Sequence, residues 1–192
     1  MQKKIMILPH VESKTSFMVS NALTATIDNN IERVYDFIVA EDVDLNFLQG
    51  RTNLSGAEAA NNDSPIRTPR MLGYEIDGEF WNQIGATRIS SFEGDAKIRE
   101  TIIDCQRPYL FQYMLTDFVG GWFEESIDLG ISTFCLSSFG PRTRVNWQYQ
   151  MRPINMDKID EVHQLMSKLW YPWQESFFNV LQEALNKDPW SA

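Results

Sequence analysis

The chain has 192 residues, of which 43% are hydrophobic and 22% are charged, a mixture typical of a globular domain. Its formal net charge of -9 would repel a duplex phosphate backbone, so we expect no nucleic-acid partner. Residues Met1 to Leu8 hold too few apolar side chains for a signal peptide, and no run approaches the roughly 20 needed to cross a bilayer. We therefore expect a cytoplasmic protein without stable membrane insertion. One domain over 1–192 is expected, with 1–16 as an N-terminal extension.

The first predicted elements are a strand and a short helix. Residues Phe17 to Ile27 alternate apolar and polar side chains, interrupted by Asn21, which predicts a half-buried strand. Asp28, Asn29 and Asn30 are candidate N-caps for a helix that follows. The residues expected to face inward from this helix are Ile31, Val34, Tyr35 and Ile38.

A polar stretch without periodicity then interrupts the pattern, after a possible second helical turn at Val43 to Leu48. It runs from Gly50 to Arg70 and predicts a long loop insertion. Loops of this length in compact domains are usually functional or mobile. A lid and a disordered surface insertion are both compatible with the sequence.

Alternating side chains and turn residues predict six further strands, which resume near Phe80. Glu93, Gly94 and Asp95 supply a hairpin turn between the first two, and Gly130 is expected to separate a later pair. The predicted strands are Ile84 to Phe92, Lys97 to Cys105, Tyr109 to Thr116, Trp122 to Leu129, Ile131 to Phe139 and Thr143 to Arg152. Cys105 and Cys135 lack a C-x-x-C spacing, so we expect buried reduced thiols on these strands.

A long amphipathic helix is predicted at the end of the chain, from Asp157 to Asn186. Its apolar residues recur three and four apart, which is the period of one helical face. Pro172 lies near its middle and predicts a kink. Strands followed by one long helix indicate an α+β fold in which a curved sheet grips that helix.

The order of these elements resembles the START-type helix-grip superfamily, also called SRPBCC, in its polyketide cyclase/dehydrase and lipid-transport branch. The residues that carry the resemblance are Ala25 to Ile38, Gly85 to Arg88, Gly94, Glu100, Pro108, Tyr113, Thr143 to Trp147 and Pro153. The resemblance implies an antiparallel sheet of about seven strands around a C-terminal helix. It also implies a cavity between them for an apolar or amphipathic molecule. The loop at 50–70 departs from this pattern.

One polar pair stands out within the predicted hairpin. A three-residue turn at Glu93 to Asp95 sets Phe92 opposite Ala96 and, in the same register, Arg88 opposite Glu100. An arginine and a carboxylate beside apolar neighbours could anchor the polar head of a ligand. They could equally form a structural bridge that fixes the register.

The other predicted ligand-lining residues are mostly aromatic. Rings with a polar tip suit a pocket for a flat, largely apolar molecule, although rings at strand or helix spacing are also ordinary core. With Arg88 and Glu100, the predicted lining set comprises Tyr113, Trp147, Met166, Trp170 and Trp173. His163 is the candidate general base, or else a hydrogen-bonded structural residue. Two histidines and two cysteines without ligand spacing predict no metal site.

Three hypotheses about function follow from these features. The first is the binding or transport of a small hydrophobic or amphipathic ligand, such as a lipid, polyketide-like or aromatic compound, without a cofactor. The second is a cofactor-independent enzyme of the cyclase or dehydratase type that uses His163, Glu100 or Arg88 in the same cavity. The third is a protein-interaction domain with a filled core. The oligomeric state is left open by the sequence.

Overall fold

One antiparallel sheet and a long C-terminal helical segment form the structure, a computed structural model that describes residues 7–8, 18–40, 71–78 and 80–187. The strands are β1 (Ile7–Leu8), β2 (Val19–Ile27), β3 (Met71–Asp77), β4 (Thr87–Phe92), β5 (Lys97–Gln106), β6 (Leu110–Val119), β7 (Ile127–Phe139) and β8 (Arg142–Pro153). The helices are α1 (Ile31–Val39), α2 (Gly121–Ser126), α3 (Ile159–Leu165) and α4 (Tyr171–Lys187). The predicted turn at 43–48 and loop at 50–70 lie outside the described residues.

The sheet runs in the order β1-β2-β8-β7-β6-β5-β4-β3, and each neighbouring pair is antiparallel. Seven strands are long, and β1 adds two residues that pair with Thr24 and Ala25 of β2. The predicted α+β helix-grip architecture is therefore confirmed. Ile7 and Leu8, which lie within the expected N-terminal extension at 1–16, pair with the edge of the sheet.

Helix α1 forms as its sequence predicts. Asn30 is the N-cap, and its side-chain oxygen accepts a hydrogen bond of 2.9 Å from the backbone N–H of Arg33. The buried residues of this helix are Ile31, Val34, Tyr35 and Ile38, as expected. The cap and the apolar face together place α1 against the strands β7 and β8.

The strand predicted at Trp122 to Leu129 is wrong in its first part, and its predicted separation from the next strand is wrong as well. Residues Gly121–Ser126 form helix α2, and Gly121, its first residue, has a positive φ, as does Gly120 before it. Gly130 does not separate a pair of strands but lies inside β7, where a Cβ would come within 2.8 Å of Met151 Sδ and 2.9 Å of Leu115 Cδ1. Close packing against these two side chains therefore explains why a glycine lies at this position.

The expected burial of both thiols is also wrong, because Cys135 on β7 is exposed and Cys105 is half-buried.

The C-terminal helical segment packs on the concave face of the sheet. A π-helical turn, Met166–Trp170, separates α3 from α4, and the N–H of Tyr171 donates to the carbonyl of Met166. Pro172 has no N–H for the carbonyl four residues earlier, and its ring would clash there, so a widened turn just ahead of it relieves both problems. Among the residues that the structure describes, no helix is long and apolar enough to span a bilayer.

Candidate functional site

A row of buried polar side chains crosses the concave face of the sheet. Asn21 on β2 is the cross-strand partner of Tyr149 on β8, which pairs with Ser132 on β7, which in turn pairs with Tyr113 on β6. Ile102 on β5 is the partner of Tyr113, and Glu100 lies two residues before Ile102 on the same buried face, opposite Leu115. Glu100 and its partner Arg88 on β4 therefore extend the row diagonally toward the sheet edge. We call the six polar residues the polar row. Such a row amid apolar neighbours needs hydrogen-bond partners to be tolerated.

Hydrogen bonds connect the middle of the row. The hydroxyl groups of Tyr113 and Tyr149 lie 2.7 Å apart, and either can be the donor. The indole Nε1 of Trp147 donates to Ser132 Oγ at 2.9 Å. The Ser132 hydroxyl also acts on both phenols, because it lowers the pKa of each against the effect of burial. These hydrogen bonds help to fix the positions of the two phenol oxygens and of the Ser132 hydroxyl.

An ion pair closes the other end of the row, in the register that the sequence predicts. Arg88 Nε and Nη2 each lie 2.6 Å from Glu100 Oε2, and Ser90 Oγ donates to Glu100 Oε1 at 3.0 Å. The side chains of Arg88 and Glu100 are 18% and 6% exposed. The Arg88 guanidinium carbon also lies 4.1 Å from the ring centroid of Trp81 and 5.2 Å from that of Tyr74. The hydrogen bond from Ser90 to Glu100 and the cation-π contacts of Arg88 therefore help to hold the ion pair in place.

The protonation of the row follows from burial and from this ion pair. Burial, reinforced by the charge of Glu100, raises the pKa of Tyr113 to about 12. Burial also raises the pKa of Tyr149 well above its usual value. For Arg88, burial lowers the pKa, but the contributions of Glu100 and of the two tyrosines together outweigh it, so the pKa is raised overall. The row therefore contains the Arg88–Glu100 ion pair and, at neutral pH, two neutral phenols.

Rings from the helical segment cover the row. The Trp170 ring lies 5.3 Å from that of Tyr149, and the Trp173 ring lies 5.1 Å from that of Trp147 and 6.0 Å from that of Trp170. Met166 is buried, and its carbonyl accepts a hydrogen bond of 3.3 Å from Asn21 Nδ2. The structure thus brings the predicted lining residues together, whereas their contact with a ligand stays a prediction.

Two buried amide oxygens lie at the interface between the helical segment and the sheet. Asn21 is 1% and Gln174 0% exposed, and Asn21 Oδ1 and Gln174 Oε1 have no hydrogen-bond partner among the described residues. The amide nitrogen of Gln174 donates to the carbonyl of Trp147 at 3.3 Å. These two oxygens are acceptors that a bound group could use.

Sequence reasoning missed several members of the site. Asn21 carried a signal, because it is a polar residue at an inward position of an otherwise apolar strand face. Ser132 and Trp81 carried no such signal. Ser132 matters through its contact with Trp147 on the neighbouring strand, and Trp81 matters because the loop before β4 places it beside Arg88.

His163, the predicted general base, lies half-buried on α3. Its backbone carbonyl accepts a hydrogen bond of 2.9 Å from Ser167 Oγ. A catalytic role for His163 stays a prediction. Within the described ranges, side chains of His, Cys, Asp and Glu do not come together in groups of three that could hold a metal ion.

Comparison with known proteins gives matches at the level of structure. No family model and no curated protein sequence matches the chain. Major latex-like protein 151 from Panax ginseng superposes with a TM-score of 0.62 at 8% identity, covering 88% of this chain and 98% of that one. Norcoclaurine synthase from Thalictrum flavum superposes with a TM-score of 0.58 at 10% identity, covering 98% of this chain and 100% of that one.

A bacterial structure, protein Ms6760 from Mycobacterium smegmatis, also matches with a TM-score of 0.58 at 10% identity, covering 95% of this chain and 99% of that one. At identities this low, the structural matches establish a shared fold but not a shared chemistry. The chain therefore has the helix-grip fold that the order of its elements predicts, and it shares this fold with the three proteins above.

Proposed function

We propose that this protein binds or transports a small hydrophobic or amphipathic molecule between the sheet and the C-terminal helical segment. The observation that carries the proposal is the polar row, a hydrogen-bonded set of side chains beneath a cover of tryptophan rings. A few fixed polar groups in an apolar, aromatic surrounding are what binding sites for such molecules require.

Energetics supports a functional reason for the row. A buried ion pair loses much of its Coulomb energy to desolvation, and packed apolar residues of the same volume are often as stable. A contribution to folding stability is therefore a weak explanation for the burial of Arg88 and Glu100. Anchoring a ligand's polar group gives them a use, while burial of the ligand's apolar surface would supply about 25 cal/mol per Å².

A second candidate function is a cofactor-independent enzyme of the cyclase or dehydratase type. One similar structure carries the name of an enzyme, norcoclaurine synthase. The phenol pair and the carboxylate of Glu100 are groups that can hold or move a proton, and His163 is the further candidate. Fold likeness at this identity is an analogy, so the binding function remains the leading proposal.

The first experiment measures saturable binding of Nile red, an uncharged apolar dye, by energy transfer from tryptophan. We expect one dye per chain. Trp173→Ala should weaken binding roughly two- to tenfold, because a ring contact is worth about 0.5–1.5 kcal/mol. Tyr109→Ala, which removes an exposed ring at the end of the same sheet, is the matched control and should leave the affinity unchanged.

Native mass spectrometry of the purified protein adds an independent readout, because a co-purifying small molecule would appear as a defined mass increase. Absence of saturable dye binding, together with an unliganded mass, would overturn the proposal. That result would favour the alternative of a filled core, in which the close ring contacts such as Phe134 with Trp147 at 4.5 Å serve packing only.

A further inference from the structure

The charge balance of the polar row defines the class of ligand. We infer that the site takes a molecule of zero net charge that carries hydroxyl or carbonyl groups, and that it rejects carboxylates and ammonium ions of the same shape. This inference rests on the proposed binding function and names its ligand class.

The first step is that the charges of the row are already matched. Arg88 uses Nε and Nη2 on one oxygen of Glu100, and Ser90 occupies the other oxygen. A ligand carboxylate would have to take Arg88 from Glu100 and leave that carboxylate unpaired. A ligand ammonium group would have to compete with Arg88 for Glu100. Either exchange leaves one buried charge uncompensated.

The second step is that the other polar groups of the site are neutral. Tyr113, Tyr149 and Ser132 offer hydroxyls, which donate to a carbonyl or accept from a hydroxyl. Asn21 Oδ1 and Gln174 Oε1 are buried acceptors without a partner among the described residues. A ligand hydroxyl could donate to either oxygen, whereas a carboxylate would only add a further acceptor.

The third step concerns desolvation. Asn21, Tyr113, Ser132 and Tyr149 are all at most 6% exposed, so a ligand group that reaches them gives up its water. Loss of water costs an ionised group far more than a hydroxyl or carbonyl. Since the row has no net charge to offset that cost, uncharged groups are favoured.

The test uses three pyrene derivatives that share one flat ring system: pyrenemethanol, pyrenecarboxylate and pyrenemethylammonium. Binding is followed at neutral pH by energy transfer from tryptophan to pyrene. We expect the wild-type protein to bind the alcohol roughly tenfold or more tightly than either ion. This comparison needs no variant, so it decides the question even if a substitution impairs folding.

A charge-switch variant tests the cause. Glu100→Gln leaves Arg88 without its counter-ion, so the preference should shift toward pyrenecarboxylate by roughly tenfold or more. Asp117→Asn is the control, because it removes an exposed ion pair between Arg99 on β5 and Asp117 on β6, at 2.6 Å. This variant should keep the wild-type order of affinities.

The outcomes separate the inference from the proposed function. Equal or tighter binding of either ion by the wild type would overturn the inference and leave the binding function standing. An unchanged preference in folded Glu100→Gln would also overturn it. Failure of all three compounds and of Nile red to bind would overturn the proposed function itself.

Discussion

Breaking the buried ion pair should be costly, and the structure gives the size of the effect. In Arg88→Gln the side chain of Glu100 stays buried, at 6% exposure, and loses two contacts of 2.6 Å to its counter-ion. Removal of one partner of a buried pair costs about 3–5 kcal/mol. Because Arg88 is 18% exposed, we expect a loss of about 3 kcal/mol, at the lower end of that range.

A double-mutant cycle isolates the charge interaction from other losses. Arg88→Gln also removes the stacking on Trp81, worth about 0.5–2 kcal/mol, and this loss does not depend on Glu100. Glu100→Gln alone leaves a buried cation, whereas the double variant leaves two neutral amides. We therefore expect the double variant to be more stable than the sum of the single effects predicts, by about 2 kcal/mol or more.

The assay is urea denaturation followed by tryptophan fluorescence, with the free energy of unfolding compared at unchanged m-value. Asp117→Asn serves as the control, since its exposed pair should contribute less than about 1 kcal/mol. Additive single effects, or a loss below about 1 kcal/mol in Arg88→Gln, would refute the reasoning that this pair is buried and mutually dependent.

Three further predictions concern other regions of the fold. Because the pKa of Tyr113 is raised from 10.0 to about 12, the folded state holds this proton more tightly than the unfolded chain. The resulting stabilisation, about 3 kcal/mol, is present below pH 10 and is lost as the pH rises toward 12, so Tyr113→Phe should flatten stability against pH in this window. Gly130→Ala should cost about 1–3 kcal/mol in urea denaturation, because its Cβ would overlap Met151 and Leu115. Gly73→Ala, where nothing lies within 4 Å, should be neutral, and an equal cost at both glycines would contradict this explanation. Asn30→Ala should lower thermal stability by about 1 kcal/mol, and an unchanged midpoint would argue against the N-cap.

Local sequence signals predicted the features of the fold that depend on neighbouring residues. The cap and buried face of α1 follow from side chains within one short segment. The register of Arg88 opposite Glu100 follows from the turn length alone, and the backbone N–H of Phe92 donates to the carbonyl of Ala96 as that turn requires. Such features need no knowledge of distant strands.

The errors arose where tertiary contacts override local patterns. Gly130 resembles a strand break in the sequence, yet it is a packing requirement set by Met151 on another strand. Strand β3 was missed because Met71–Asp77 contains a glycine and two acidic residues and is an edge strand without a buried face. One strand was thus divided in two and one was missed, so the predicted number of long strands agreed with the structure through compensating errors.

The polar row was only partly predictable for the same reason. Arg88 and Glu100 are joined by a short hairpin, but Asn21, Tyr149 and Ser132 become neighbours only through the pairing of β2, β8 and β7. The pairing of β2 with β8 links residues more than a hundred positions apart. Inward positions on single strands are visible in a sequence, whereas their alignment into one row requires the sheet order.

The most direct test of the account is the indole N–H signal of Trp147 in a nuclear magnetic resonance titration with pyrenemethanol. This N–H donates to Ser132 within the polar row, and the Trp147→Phe variant assigns its resonance. We predict a saturable shift of this signal at one ligand per chain. A tightly bound ligand that leaves the Trp147 signal unmoved would contradict a binding site at the polar row.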